Sequence, residues 1–257
     1  MTSRFIGNNI LVLSCSRSGH HAVINWLIQQ SKGIIKYHNN CELGWDKGMF
    51  KPIKRNVESI GVTSDNFVTN VYTIEDFNME YCTQYNFFNF TSLPQYKIDL
   101  VIIINRDFRN WISSRIKGGG EGLNNLISVK NSNTPAVKKW EMLVKESLGE
   151  TRLLKGNSYN INFNRWYDSD KYRKQVCLDL GLEFSDNGLR EVNDAGGGSS
   201  FSGTQILDSK NLDVLNRYKE MESNEKYKNI LSSISPEIIE LDKKYFKKEW
   251  KKEKQKV

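Results

Sequence analysis

Apolar residues along the chain fall into short continuous runs and into longer segments with helical spacing. The run IDLVIIIN at residues 98–105 shows no alternation of polar and apolar positions, so a strand there is predicted to be buried on both faces, as in a parallel sheet. The run NILVLS at residues 9–14 passes through the polar segment CSRSGHH into AVINWLIQQSK, whose apolar positions repeat at helical spacing. The pattern predicts a strand, a loop and a helix in succession near the N-terminus.

The rest of the chain continues this alternation. Further strands are predicted at residues 33–37, 66–74 and 159–163. Helices are predicted at residues 109–116, 135–148, 169–180 (capped by Gly181), 207–231 and from 236 to the chain end. Strands separated by helices indicate an α/β fold with a parallel sheet, flanking helices and right-handed crossovers. We expect one domain over residues 1–242, followed by a Lys-rich tail over residues 243–257.

Composition favours a soluble globular protein. Of the 257 residues, 38% are hydrophobic and 26% are charged. The longest purely apolar run, LVIII, is far shorter than the roughly 20 residues of a membrane span, so neither a span nor a secretory signal is predicted. The cysteines form no C-x-x-C pair, which favours reduced thiols and a cytoplasmic location over disulfides or a zinc site; they are Cys15, Cys41, Cys82 and Cys177.

Most of the net positive charge lies at the C-terminus. The chain carries a net charge of +7, and residues 243–257 alone hold eight Lys and two Glu. The remainder of the chain is therefore nearly neutral. A solvated helix end is the expected role of this tail, and contact with nucleic acid or with a membrane surface is the less favoured alternative.

The loop after the first strand contains the first group of candidate residues. A loop that opens a helix directs backbone N–H groups to one point, and the helix dipole adds positive potential, so an anion such as phosphate or sulfate is the expected occupant. The pattern differs from the phosphate loop G-x-x-x-x-G-K-[ST], which would need Gly, Lys and Ser or Thr at positions 14, 20 and 21. The candidate residues are Ser16, Arg17, Ser18, Gly19, His20 and His21.

Two further motifs also have the chemistry of anion sites. Arg106 lies at the carboxyl end of the most apolar strand, and Ser114 follows eight residues later. Because ligands of open α/β sheets bind at the carboxyl ends of the strands, these two side chains are expected to hold one phosphate; an ion pair between Arg106 and Asp107 is the alternative. The third motif is a Gly/Ser loop able to form a backbone nest, made of Gly196, Gly197, Gly198, Ser199 and Ser200.

In this order, the three motifs resemble the sulfotransferase family that uses 3'-phosphoadenosine 5'-phosphosulfate (PAPS). Residues 17–21, RSGHH, stand at the family's 5'-phosphosulfate loop, and the Arg-Ser-Gly within them resembles the carbohydrate sulfotransferases. Arg106 and Ser114 match the family's 3'-phosphate motif, and residues 161–182 are similar to its later strand, turn and helix. The resemblance spans residues 9–201 as a series of landmarks and implies a P-loop-like sulfotransferase architecture.

The resemblance also implies a role for each residue. Arg17 would bridge the leaving 5'-phosphate and the transferred group, with Ser16 and residues 18–21 around that phosphate. Arg106, Ser114 and the loop at residues 196–200 would hold the 3'-phosphate, and no metal would be required. The chain departs from the family where His20 and His21 replace a hydroxyl pair and where Phe163 and Asn164 replace Tyr-Glu.

The acceptor side is less defined. His38, just after the second predicted strand, is the expected general base, with Glu42, Glu75 and Asp76 as alternatives. A carbohydrate hydroxyl is the expected acceptor, because of the Arg-Ser-Gly sequence, but a lipid, a small alcohol or a protein tyrosine also fits. The alternative functions are a P-loop nucleotide or small-molecule kinase, and a non-catalytic protein that binds anions or nucleic acid.

Overall fold

The computed structural model describes most of the chain with gaps. The described residues are 3–44, 49–52, 57–60, 67–80, 98–118, 126, 134–154, 158–189, 191, 201 and 212–247. For residues 42–44, 49–52 and 57–60 only the backbone is described.

The strands form one large sheet and one small hairpin. The order in the large sheet is β5-β2-β6-β1-β7-β8, with every neighbouring pair parallel except β5, which runs antiparallel to β2. The short strands β3 and β4 pair with each other. The predicted α/β class with a parallel sheet is thus confirmed, whereas β3, β4 and β5 were not predicted. The strands are β1 Asn9–Ser14, β2 Ile34–His38, β3 Cys41–Gly44, β4 Met49–Pro52, β5 Val57–Ile60, β6 Val68–Glu75, β7 Leu100–Asn105 and β8 Ser158–Asn162.

The helices agree with the predicted ones except in two places. The predicted strand at residues 159–163 ends at Asn162, whose side chain accepts a hydrogen bond from the Arg165 amide and so starts a helix. The predicted helix at residues 207–231 is divided in its described part into two helices, Arg217–Glu220 and Glu225–Ser233, because Asn224 caps a new helix there. Gly181 caps its helix as predicted, at φ 67°. The helices are α1 His20–Gln29, α2 Phe108–Lys117, α3 Ala136–Ser147, α4 Phe163–Asp168, α5 Asp170–Leu180, α6 Arg217–Glu220, α7 Glu225–Ser233 and α8 Pro236–Tyr245.

The large sheet separates two hydrophobic cores. Along β1, Ile10 and Val12 face a core shared with α1 and α5, whereas Leu11 and Leu13 face a core shared with α2, α3, α7 and α8. Residues of β7 alternate between the same two cores, and all six are buried. Helices on both faces therefore explain why β7 is apolar at consecutive positions.

Other predictions can be compared with the described residues. Cys15, Cys41 and Cys177 are buried free thiols, in agreement with the prediction, and Cys82 lies outside the described residues. Helix α8 runs to Tyr245, so the start of the predicted Lys-rich tail is helical, and residues 248–257 lie outside the described part. None of the described helices is long and apolar enough to cross a membrane.

The strand order creates a crevice between β1 and β7. After β1 the chain continues to β2, on one side of β1, whereas after β7 it continues to β8, on the other side. The two connections diverge from the carboxyl ends of adjacent strands, which is where open α/β sheets bind ligands. The loop at residues 15–19 and Arg106 both begin at this crevice.

Gly19 fixes the shape of the loop after β1. Its φ is +84°, and a Cβ at this position would lie 2.3 Å from the ring of Phe163. Phe163 is itself buried, with Trp166 against its ring. The start of α4 therefore packs directly on the loop, and only glycine allows that approach.

We predict that Gly19→Ala destabilises the protein more than Gly149→Ala does. Gly149 has a similar φ of +72° but open space around the position of a Cβ, so alanine there costs only the left-handed conformation, about 1–2 kcal/mol. At Gly19 the clash with Phe163 should add about 1–3 kcal/mol, as in other overpacked cores. Urea unfolding measures the loss of stability in both variants. Equal losses would show that the Phe163 ring moves aside without a loss of stability.

Candidate anion-binding site

The loop after β1 is fixed at Ser16 by contacts from two sides. The Ser16 amide donates to Asp76 Oδ1 at 3.0 Å, and the Ser16 carbonyl accepts from Trp111 Nε1 at 2.9 Å. Asp76 is in turn held by Arg115, whose Nη1 lies 2.7 Å from Oδ2. Groups at the end of β6 and on α2 therefore hold the loop at the crevice.

The amides that open α1 remain available to a ligand. The Ser16 amide is used by Asp76, and the Ser18 amide donates to the Cys15 carbonyl at 3.1 Å. Gly19 is the N-cap of α1, and no described side chain caps this helix. Because the first amides of a helix have no partner within it, those that start α1 can receive an anion.

Arg106 is held rigidly below this loop. Its side chain is 2% exposed, and Nη1 donates to Ser114 Oγ at 3.1 Å and to the Arg17 carbonyl at 3.4 Å. Nη2 donates to the Val214 carbonyl, whereas Nε has no hydrogen-bond partner. The structure thus brings Arg106 and Ser114 together, as predicted, and places both beside the backbone of Arg17.

Arg106 has no described carboxylate within ion-pair distance, in contrast to the buried Arg173. Arg173, 6% exposed, donates from Nε and Nη2 to the two carboxylate oxygens of Asp186, each at 2.7 Å. Asp107, the alternative partner considered for Arg106, instead accepts from Asn110 and from Asn164. The alternative of an Arg106–Asp107 surface pair is therefore wrong.

Burial perturbs the charge of Arg106. Removal from water, followed by repulsion from Arg217, lowers its pKa to about 9 although Asp107 acts in the opposite direction. The guanidinium is still a cation at neutral pH. Because an unneutralised charge is costly to bury, this position favours the binding of an anion.

Arg217 is a second cation of the site, and no sequence motif predicted it. Its Nη1 donates to Ser114 Oγ at 3.0 Å, so this hydroxyl accepts from two guanidiniums and donates to the Asn110 carbonyl at 2.8 Å. Burial lowers the pKa of Arg217 to about 10. Its position on α6, 103 residues after Ser114, left no local signal.

The predicted Gly/Ser loop lies outside the described residues. This applies to Gly196, Gly197, Gly198, Ser199 and Ser200. Phe201, the next residue along the chain, is described: the Arg217 guanidinium lies 4.8 Å from its ring centre and the Lys117 ammonium 4.0 Å. The chain directly after the predicted loop therefore lies beside the second cation.

The two loop histidines face Glu75. His20 Nε2 and His21 Nε2 lie 3.3 Å and 3.4 Å from Glu75 Oε1, and the contact of His20 is not aligned as a hydrogen bond. Burial, and then the proximity of His20, lower the pKa of His21. The surroundings of His21 in the ligand-free protein therefore favour its neutral form.

Glu75 is an ionised group at the edge of the loop. Burial by itself would raise the pKa of Glu75, but the imidazoles of His20 and His21 and the Ser16 side chain bring it well below its usual range. The carboxylate is 21% exposed, so it is accessible from solvent.

His38 lies apart from these residues. It is paired with Tyr72 of β6, which is paired with Leu11 of β1, three residues before the end of that strand. At about 3.3 Å per residue, His38 is therefore about 10 Å below the level of the loop and two strands away from β1. Its ring stacks on Tyr72 at 4.7 Å, and burial followed by repulsion from Lys36 lowers its pKa. The side chain of Glu42 lies outside the described atoms.

Comparison with known proteins finds matches among the solved structures. No family model matches the chain, and no curated protein matches it either. The crystal structure of the mouse sulfotransferase SULT7A1 complexed with PAP matches over 93% of this chain and 84% of that chain, with 15% sequence identity and a TM-score of 0.44. A match at this level assigns neither a family nor an activity, so the functional argument depends on the geometry of the site.

We predict that Arg106→Met and Arg173→Met have different effects on stability. Removal of Arg173 leaves Asp186 without its partner, which should lower the free energy of unfolding by about 3–5 kcal/mol. Removal of Arg106 relieves an unneutralised charge, which offsets the lost hydrogen bonds, so the loss should stay below about 1.5 kcal/mol. Urea unfolding at pH 7, without phosphate or sulfate, measures both.

The pH dependence gives a second test of the same difference. The pKa of Arg106 is about 9 in the folded chain, well below the ordinary value of a guanidinium, so the loss of stability caused by burying its charge is complete below pH 9 and declines as the pH rises above 9. The free energy of unfolding gained above pH 9 through loss of this charge should be absent from Arg106→Met. If Arg106→Met loses as much stability as Arg173→Met, Arg106 serves the fold and not an anion.

Proposed function

We propose that the chain is a sulfotransferase that moves a sulfuryl group from PAPS to a hydroxyl acceptor, with a carbohydrate as the expected acceptor. The observation that carries this proposal is the pair of buried guanidiniums, Arg106 and Arg217, that share the Ser114 hydroxyl. They lie beside the uncapped start of α1, and the Arg17 carbonyl accepts from Arg106. Two adjacent anion subsites suit a nucleotide with phosphate groups at both its 5' and 3' positions.

The loop chemistry favours this reading over a kinase. Nucleotide kinases of the P-loop class use a Lys and a Ser or Thr after the final loop glycine to bind phosphates and Mg²⁺. Those positions are His20 and His21 here, and both imidazoles face Glu75. A nucleotide with 5'-phosphates alone would also leave Arg106, which has no described carboxylate within ion-pair distance, without an anion.

Arg17 is proposed to act on the transferred group. Its side chain is exposed, and its guanidinium carbon lies 3.3 Å from the position of a Cβ on Gly118, at the end of α2. It thus lies at the mouth of the crevice, between the start of α1 and the Arg106 subsite. Sulfuryl transfer needs in-line geometry and stabilisation of charge on the leaving oxygen, and a fixed guanidinium charge supplies the second.

Glu75 is proposed as the general base in place of His38. The base must come within hydrogen-bond reach of the acceptor hydroxyl beside the donor. Glu75 ends β6, next to β1, and it contacts the first two residues of α1. His38 ends β2 but lies about 10 Å below the level of the loop and stacks on Tyr72, so the geometry favours Glu75 among the alternatives. The contacts with His20 and His21 hold the pKa of the Glu75 carboxyl well below its usual range, which makes it a weak base in the ligand-free protein.

We predict that 3'-phosphoadenosine 5'-phosphate stabilises the protein and that ADP does not. At a hundred times its dissociation constant, a ligand of the native state adds about 2.7 kcal/mol, which a thermal-shift titration detects. Arg106→Met should weaken this binding about 10- to 150-fold, because charge-assisted hydrogen bonds contribute about 1.5–3 kcal/mol. Equal shifts with ADP would contradict the proposal, and a larger shift with ATP and Mg²⁺ would favour a kinase.

A nucleic-acid-binding function has its own signature. It would give salt-dependent binding of nucleic acid that is lost when residues 243–257 are deleted, and no preference for the 3'-phosphorylated nucleotide.

We predict that Glu75→Gln lowers turnover about a hundredfold or more while nucleotide affinity is retained, because a general base contributes at least this much. His38→Ala is the matched control and should keep near-normal turnover. The assay measures sulfated product from labelled PAPS with an acceptor found by screening hydroxyl compounds. The opposite result, a loss in His38→Ala alone, would return the role of base to His38.

A further inference from the structure

Three side chains at the edge of the loop form what we call the histidine–glutamate cluster: His20, His21 and Glu75. One potential ligand atom of each lies within 4.8 Å of the other two. We propose that this cluster binds a divalent transition-metal ion, with Zn²⁺ as the best fit. The proposal goes beyond the sulfotransferase reaction and does not depend on it, but a Glu75 carboxylate bound to the ion does not serve as the general base at the same time.

The distances in the cluster suit a small tetrahedral ion. Zn²⁺ binds imidazole nitrogen and carboxylate oxygen at about 2.0–2.2 Å, so neighbouring ligand atoms of a tetrahedral site are about 3.3 Å apart. His20 Nε2 and His21 Nε2 lie 3.3 Å and 3.4 Å from Glu75 Oε1. These two edges of the tetrahedron are therefore already formed.

The hydrogen bonds behind His21 direct a lone pair into the cluster. The Tyr37 hydroxyl donates to Asn39 Oδ1 at 3.2 Å, so its oxygen is left to accept from His21 Nδ1, 3.1 Å away. A neutral His21 then carries its proton on Nδ1 and its free lone pair on Nε2, which faces Glu75. Metal-binding histidines are typically oriented in this way by a group behind the ring.

His20 supplies an independent observation. It is 2% exposed. Its Nε2 lies 3.3 Å from Oε1 of Glu75 but has no hydrogen-bond partner among the described residues. Buried polar atoms are nearly always paired. A cation between the two imidazoles and the carboxylate would satisfy Nε2 of His20, Nε2 of His21 and Oε1 of Glu75 together.

The cluster is also accessible and selective. His21 and Glu75 are 22% and 21% exposed, so an ion can enter from solvent, and three protein ligands leave a fourth position for water. Two imidazoles and one carboxylate favour Zn²⁺ and its neighbours in the transition series, whereas Mg²⁺ and Ca²⁺ prefer sites built from oxygen alone.

Calorimetric titration of the full chain with Zn²⁺, without nucleotide, tests the proposal. We expect one ion per chain and no binding of Mg²⁺. Glu75→Gln and His21→Ala should each weaken binding about a hundredfold or more, because a lost ligand costs at least as much as a lost supporting group. His38→Ala removes the one other histidine of the chain and should leave the affinity unchanged.

Tyr37→Phe extends the test without altering a ligand. It removes the hydroxyl that orients His21 and should weaken Zn²⁺ binding about 10- to 100-fold, with folding checked by circular dichroism. The proposal is overturned if no Zn²⁺ binds. It is also overturned if binding persists unchanged in Glu75→Gln and Tyr37→Phe. Because the titration contains no nucleotide, its failure would leave the nucleotide prediction standing, and the reverse also holds.

Discussion

A positive charge buried without a negative partner among the described residues organises the site. The Arg106 guanidinium is surrounded by the carbonyls of Arg17 and Val214 and by the Ser114 hydroxyl, all of which orient it and none of which neutralises it. Another buried guanidinium, that of Arg173, is instead neutralised by a two-oxygen contact to Asp186. Stability that the fold gives up at Arg106 becomes available as binding energy for an anion.

The parallel sheet makes this arrangement possible. Adjacent β1 and β7 end at the same edge, so the backbone of the loop after one strand meets the side chain that follows the other. The groups that brace them come from further along the chain: Asp76 after β6 holds Ser16, and Asn164 on α4 holds Asp107. A preorganised anion site therefore emerges from contacts among elements that are distant in sequence.

Sequence predicted the parts of the site that depend on local patterns. Continuous apolarity predicted that β7 is buried and parallel, and this placed Arg106 at a ligand-binding edge. The apolar pattern could not provide the strand register. That register places His38 below the level of the loop after β1 and Glu75 beside that loop. Arg217 was missed because the apolar spacing of residues 207–231 conceals the cap at Asn224, and because its contact with Ser114 joins residues 103 positions apart.

The closeness of Gly19 to Phe163 has a consequence for synthesis on the ribosome, where chains emerge from the N-terminus. The loop after β1 is made before the ring that packs on it, which follows 144 positions later. The Val214 carbonyl that accepts from Arg106 follows later still. A nascent chain that ends before these residues has the loop sequence without the side chain and carbonyl that pack against it, so the anion site can form only after Val214 has been made.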